Sequence, residues 1–500
     1  MEDRDKQDSY THILKYTGIF GGVQGINILV ALIRNKLVAM LLGPTGMGLL
    51  SLFNSTIRFI SDSTNLGLGM SAVKDISEAH SRGNGYAVKR SIRVIRLWSL
   101  ITAVAGMLLC AVASPLLSRY TFGWGNHALH FLLLSPIVAM VAITGGELAI
   151  LKGTQHLSAL ARISVYHVFA ALVLSIPLFV VWRISAIVPS LVIVAFAQMV
   201  ITIAYSYHYY PLQLKVNASI LRKGTGMVRL GVAFLFAGLF GSGADFFIRS
   251  YINHTGSSDI LGLFNAGYMI VVTFAGMVFS AMETDYFPRL SAIGQVGSPL
   301  NEIVNRQIEV SLLIVSPLTA ILIISLPVII PLLYSSAFTP VVAMTQVAAL
   351  ALYLRSVKLP IAYLPLSRGD SAIYLLMESI YSIVFVALSI CCYQRTGLLG
   401  MGIAILATAL FDFIMLVLFM GYRYGYHMSH GVVCIFLQQI PIGITAYALT
   451  WAGHGALYWI GGIMLTMLSC ALSIRELHQR THLWQALLHK FKKESHDPSS

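Results

Sequence analysis

The chain has 500 residues, of which 57% are hydrophobic and 11% charged, with 33 Lys and Arg against 20 Asp and Glu. A water-facing domain carries about 25% charged residues, so this composition excludes a soluble enzyme, a nucleic-acid-binding domain and a disulfide scaffold. A mean hydropathy of +0.77 and recurring apolar runs of about 20 residues, the length that crosses hydrocarbon, define an all-α polytopic integral membrane protein. The net charge of +13 is then expected to follow topology, because cytoplasmic loops collect Lys and Arg.

Residues 1–15 are polar and of mixed charge. They lack the basic start, short apolar core and small-residue cleavage site of a signal peptide, so the first span is expected to be retained. Fourteen spans follow: 14–42, 46–70, 97–117, 128–150, 161–181, 186–209, 227–252, 260–282, 308–333, 341–365, 371–393, 398–421, 431–450 and 455–474. Arg34-Asn35-Lys36 could separate two spans, but the apolar run continues to Leu42, and Gly43-Pro44-Thr45-Gly46 is the better turn. In the tail, Leu483, Trp484, Leu487, Leu488 and Phe491 share one helical face opposite basic residues, the pattern of an interfacial amphipathic helix.

With the N-terminus in the cytoplasm, 24 of the 33 Lys and Arg fall on inside segments, 6 near outward ends and 3 in mid-span. This asymmetry predicts that both termini are cytoplasmic. The outward loops are short, which leaves little room for an outer catalytic domain.

Charges at membrane depth are costly and usually face a cavity or one another. In chain order they are Arg34 and Lys36 (span 1), Arg58 and Asp62 (span 2), Glu147 (span 4), Asp245 and Arg249 (span 7), Glu283 and Asp285 (end of span 8), Arg355 and Lys358 (span 10), Glu378 (span 11) and Asp412 (span 12). Arg58 with Asp62 and Asp245 with Arg249 are spaced i, i+4 and share a helix face. They either neutralise each other or line a cavity. Arg34, Lys36, Arg355 and Lys358 have no acid within four residues. A cavity lined by Arg34, Lys36, Arg58, Arg249, Arg355 and Lys358 would attract an anion, and Arg forks suit phosphate. Snorkelling competes as the account of Arg34, Lys36 and Arg249. Asp62, Asp245, Glu378, Asp412 and Glu147 are candidates for ion coupling, because a desolvated carboxylate takes up a proton readily. Glu147, near Lys152, has an interfacial position as its alternative.

Cys110, Cys391, Cys392, Cys434 and Cys470 lie in or beside apolar runs and read as small apolar side chains. The pairs His127/His130, His427/His430 and His478/His482 lack further ligands, so no metal site is expected. No GxxxxGK[ST] loop occurs, which argues against ATP hydrolysis. No cofactor and no enzymatic activity are expected.

The chain also looks duplicated. Gly48-Leu-Leu-Ser-Leu-Phe-Asn54 can be laid on Asp259-Ile-Leu-Gly-Leu-Phe-Asn265, and the intervening distance amounts to six spans. This predicts an N-lobe over 1–215 and a C-lobe over 216–425, with spans 13 and 14 (426–474) and a cytoplasmic tail (475–500) outside the repeat. Repeats flanking a central site are the usual construction of secondary transporters.

Four segments carry a family resemblance: Leu41-Leu-Gly-Pro-Thr-Gly-Met-Gly48, Asn65-Leu-Gly-Leu-Gly69, Leu230-Gly-Val-Ala-Phe234 and Leu261-Gly-Leu-Phe-Asn-Ala-Gly267. Their order and spacing over residues 10–425 resemble the polysaccharide-exporter branch of the multidrug/oligosaccharidyl-lipid/polysaccharide (MOP) superfamily, the group of Wzx-type O-antigen flippases. The resemblance implies two six-helix lobes in a V plus two extra C-terminal helices, in a bacterial inner membrane. It further implies flipping of a polyprenyl-diphosphate-linked oligosaccharide to the outer leaflet, coupled to H+ or Na+. A polysaccharide polymerase and a chain-length regulator would be partners. The six cations named above are matched to the cavity by span and depth. A lipid II flippase, a multidrug exporter of the same superfamily and a membrane-embedded glycosyltransferase are the alternatives.

Overall fold

The protein is described here by a computed structural model covering residues 2–212, 218–292, 298–453 and 455–481. Side-chain surroundings are described outside residues 2–22, 218–234, positions 70, 237, 480 and 481, and several positions between 275 and 298. The helices in chain order are α1 (Glu2–Thr64), α2 (Leu68–Ser81), α3 (Gly85–Thr121), α4 (Ala128–Gly153), α5 (Leu157–Trp182), α6 (Ile187–Tyr209) and α7 (Ala218–Thr255). There follow α8 (Ser258–Ala292), α9 (Ser298–Leu333), α10 (Val342–Ser367), α11 (Ser371–Thr396), α12 (Leu398–Tyr424), α13 (His430–Leu449) and α14 (Ala456–Thr481). No strand occurs among the described residues.

Ten described segments are long and apolar enough to cross a membrane. Two of them hold two spans each. Val23–Thr64 is broken at Gly43, whose φ of 63° and ψ of −168° suit glycine, and Pro44 then opens the new helix with its φ already set. The expected loop between spans 1 and 2 is therefore a sharp kink inside α1. Leu157–Tyr209 contains α5 and α6, joined by the 3-10 turn Arg183–Ala186. With α7 of 38 residues and α8 of 35, the helical runs reach the fourteen expected from sequence.

One helix was not anticipated. Span 2 was drawn to residue 70, but α1 ends at Thr64, Leu66 and Gly67 turn through positive φ, and α2 begins at Leu68. Its apolar stripe of Leu68, Ala72 and Ile76 packs with Val88, Ile92 and Ile95 of α3 and Ala149 and Ile150 of α4. Gly153 of α4 lets Ile76 approach closely.

Contacts group the chain into two compact units, Met1–Asn265 with Leu333–Ala337, and Ala266–Leu332 with Phe338–Ser500. The division falls inside α8, not near residue 215. The reason is the packing of α7 and the head of α8. Asn253 donates to the Thr121 carbonyl at 3.0 Å, and the Phe59 and Phe246 rings stack at 5.0 Å. The two segments matched in the repeat meet here: Gly48 lies against the Ser258 carbonyl, Gly262 against the Pro44 carbonyl, and Thr45 hydrogen-bonds Asp259. The α13–α14 pair belongs to the second unit and not to a separate region. Gly443 abuts the Tyr353 ring, and the Tyr458 hydroxyl donates to Ile324 O at 2.7 Å. The amphipathic face expected over 483–491 lies outside the described residues.

Candidate functional site

The second unit contains a cavity of about 420 Å3. Three helices line it through regular stripes. On α11, Tyr374, Glu378, Tyr381 and Phe385 recur at i, i+4, i+7 and i+11, which is one helix face. On α10, Arg355 and Lys358 share a face at i, i+3, and on α12 Ile405, Ala409 and Asp412 do the same. Tyr268, Val271 and Val272 come from α8. Close approach of α12 to α10 rests on Gly402, which lies against the Met344 carbonyl.

Within this cavity Lys358 forms an ion pair with Asp412, whose side chain is buried. The Lys358 ammonium also sits 4.4 Å from the Tyr381 ring centroid, a cation–π distance. Arg355 lies 5.8 Å over the Phe279 ring. Glu378 is half-buried, and a narrow space of about 10 Å3, enough for one water, is bounded by Glu378 and Asp412. Lys358 and Asp412 each looked unpaired in sequence; they are 54 residues apart and meet only because α10 packs on α12.

Apart from Glu283 and Asp285, the other sequence candidates lie in the first unit. Arg34 is half-buried and donates from Nε to Ser175 Oγ at 3.3 Å. Lys36 is exposed. Arg58 and Asp62 approach to 3.8 Å with the Arg58 side chain 70% exposed. Arg249 is buried, ion-paired with Asp245 and 3.4 Å from Asn265 Oδ1. Glu283 and Asp285 have no described side-chain surroundings.

Glu147 is not isolated: its buried carboxylate is paired across helices. Arg96 of α3 grips both its carboxylate oxygens, at 2.8 and 3.1 Å. The same guanidinium donates to Tyr210 O at 2.8 Å and Pro211 O at 3.1 Å, and Ser206 donates to Glu147 at 2.6 Å. Arg96, which the sequence reading placed with the cytoplasmic loop cations, is therefore inside the bundle, with its side chain 4% exposed. Four donors and two carboxylate oxygens are satisfied, and α3, α4 and the end of α6 are tied together.

Two further features escaped the sequence reading. His167, on α5, places Nε2 3.0 Å from both Gln198 O and Thr202 Oγ1. The α11 stripe of Tyr374, Glu378, Tyr381 and Phe385 was legible as a period but had no charge pair to draw attention to it. The histidine pairs bind locally: His127 stacks on Phe122 at 3.9 Å, His130 faces Phe53, and His430 contacts Cys434 at 3.4 Å. Among the described residues no cluster of three His, Cys, Asp or Glu is placed to hold a metal.

Solved structures share this helical fold. An inward-facing multidrug resistance transporter of the MATE family in the MOP superfamily superimposes with a TM-score of 0.63 at 17% identity, over 80% of this chain and 94% of that one. The lipid II flippase MurJ in its inward closed conformation gives 0.65 at 13% identity, over 92% and 98%. A MOP superfamily transporter from Pyrococcus furiosus, described as having a binding pocket of reversed polarity, gives 0.58 at 16%, over 82% and 96%. Identities this low speak for the fold alone, and the fold is that of the MOP superfamily. Residues 13–293 match the family described as polysaccharide biosynthesis protein, more than half of the chain, and this chain belongs to that family. No curated protein matches it.

Proposed function

We propose that the protein is a flippase that moves a polyprenyl-diphosphate-linked oligosaccharide from the cytoplasmic to the outer leaflet of a bacterial inner membrane by alternating access. The observation that carries this reading is the set of span-depth guanidinium groups that, among the described residues, are not closed in a tight ion pair. Arg34 is held only by Ser175, Arg355 lies over Phe279, and Arg58 is mostly exposed. Each guanidinium keeps donors for a phosphate oxygen, and the planar fork matches that geometry. Lys36 supplies a further exposed charge. Arg249 and Lys358 are spent on Asp245 and Asp412, so they would reach a phosphate only by exchanging partners.

That exchange suggests the coupling step. Protonation of Asp412, or arrival of Na+ between Asp412 and Glu378, would release Lys358. Asp62 and Asp245 are the corresponding acids of the first unit. Glu147 is left out, since protonating it would strand a buried Arg96. Both termini are cytoplasmic in this reading, and a polymerase with its chain-length regulator would consume the flipped product.

The test is transport in reconstituted vesicles. Glycan-bearing polyprenyl diphosphate is placed in one leaflet, and its arrival at the other is followed with an impermeant sugar-modifying reagent, with and without an H+ or Na+ gradient. Protein-dependent movement lost in Arg355→Ala and Arg58→Ala supports the reading; no movement, with efflux of a cationic dye instead, overturns it in favour of multidrug export. A lipid II flippase is the second reading, favoured by the coverage of MurJ, and lipid II in the same assay decides it.

A further inference from the structure

We propose that the exposed face of the α5–α6 pair carries a binding site for the phosphate headgroup of an anionic bilayer phospholipid, held by Arg162, Tyr166 and Tyr205. The site needs a membrane around the protein and is independent of what the protein transports.

The direction in which α5 faces is the first argument. Its polar side chains turn inward: Ser164 accepts from Asn27 of α1, Ser175 accepts from Arg34 of α1, and His167 reaches Gln198 and Thr202 of α6. The opposite face exposes Tyr166, Phe169, Val173 and Val180, spaced i, i+3, i+7 and i+14. Phe196 and Val200 extend this exposed surface onto α6. A span that hides its polar groups and exposes its apolar ones has hydrocarbon on the exposed side.

Arg162 stands at the end of this stripe, one turn before Tyr166, and is itself exposed. α5 starts at Leu157 and α6 ends at Tyr209. At 1.5 Å per residue, Arg162 and Tyr205 are then about 7.5 Å and about 6 Å from their helix ends, the depth of the headgroup boundary. The Tyr205 hydroxyl interacts with both the Arg162 guanidinium and the Tyr166 hydroxyl, and the two rings lie 6.2 Å apart. The next two residues fix the end of α6, Ser206 by donating to Glu147 and Tyr207 by covering Arg96. That leaves Tyr205 turned toward α5.

Arg162 belongs to none of the ion pairs among the described residues. Two phenols give it polar company but no countercharge. The anion available at this depth is a phospholipid phosphate, whose oxygens fit a guanidinium fork. A zwitterionic headgroup brings its own ammonium, so a net-negative one neutralises Arg162 better. Its acyl chains would lie along Phe169 and Val173. Basic and aromatic residues are common at membrane interfaces singly; here three of them converge from two helices on one point.

The experiment adds phosphatidylglycerol with a photoreactive diazirine in its acyl chain to the full-length protein in detergent, and maps the crosslinked peptides. Labelling around Phe169 and Val173 is expected. Unlabelled phosphatidylglycerol should displace it about fivefold more effectively than chain-matched phosphatidylcholine, the worth of one basic residue at an anionic surface. Arg162→Gln should abolish this preference, Tyr205→Phe should lose part of it, and Arg162→Lys should keep most of it. Labelling of the exposed α14 face at Met464 and Met467 should stay unchanged in all three, which separates loss of the site from misfolding. Absence of labelling on α5, equal displacement by the two lipids, or a preference that survives Arg162→Gln overturns the proposal. Displacement by undecaprenyl phosphate at lower concentration than phosphatidylglycerol also overturns it, and assigns the face to a polyprenyl lipid.

Discussion

Two ion pairs between helices, one in each unit, show how differently the same chemistry can be used. Arg96–Glu147 joins α3 to α4, and Lys358–Asp412 joins α10 to α12. Both join a Lys or Arg to a buried carboxylate across more than fifty residues of sequence. Arg96–Glu147 is saturated: the guanidinium has three acceptor residues, Glu147 has a second donor in Ser206, and the Tyr207 ring covers the Arg at 4.4 Å. Lys358–Asp412 lines an open cavity beside Glu378. A pair so fully hydrogen-bonded holds helices together. A pair at a cavity wall can change partners, because water or ligand replaces what is lost.

Four measurements would break or sharpen this comparison. The largest effect is expected from Glu147→Ala, which leaves Arg96 buried and uncompensated; the loss is on the order of 3–5 kcal/mol, read as thermal unfolding in detergent. The double replacement Arg96→Leu with Glu147→Leu should recover much of it. An unchanged melting temperature in the single variant would remove the distinction between the two pairs.

Next come the glycines that set the helix spacing at each pair. A Cβ on Gly402 would meet the Met344 backbone carbonyl, whereas one on Gly146 would meet the Ser99 side chain, whose hydroxyl can rotate away but whose Cβ, 2.9 Å off, must shift slightly. Gly402→Ala should therefore cost about 1–3 kcal/mol, the usual penalty of overpacking, and Gly146→Ala less. The reverse order would show that α10 and α12 yield more easily than α3 and α4.

Lys358→Ala should cost less stability than Glu147→Ala, because Asp412 is left beside a cavity that admits water. It should nevertheless remove gradient-dependent transport in vesicles. Retained coupling would assign Lys358–Asp412 a structural role like that of Arg96–Glu147.

The smallest effect concerns pH. His156, in the turn between α4 and α5, stacks on Tyr209 at 4.1 Å beside the Arg96 anchorage. Burial, with repulsion from His80, holds its imidazole below the ordinary 6.5. The unfolded chain then binds the proton first, so stability is full above about 6.5 and falls as the pH drops through the interval below it. His156→Phe should flatten that slope of melting temperature against pH.

Much of the architecture was legible before any coordinates. The span count and the break at Gly43-Pro44 are local properties of period and backbone, and they survive into the structure. The boundary at Thr64 was missed because the positive φ at Leu66 is not a residue type that announces a turn. The pairing of Glu147 was missed because Arg96 lies three turns into a helix whose first turns are cytoplasmic in character.

By itself the sequence determined that this is a polytopic helical membrane protein and where most of its helices break. Hydrocarbon demands long apolar runs and glycine permits the kinks, and both are written residue by residue. Only the tertiary structure decided which charges are spent and which stay available. Partners 51 and 54 residues apart meet through helix packing, and that packing depends on small residues such as Gly146 and Gly402 whose neighbours are not neighbours in the chain.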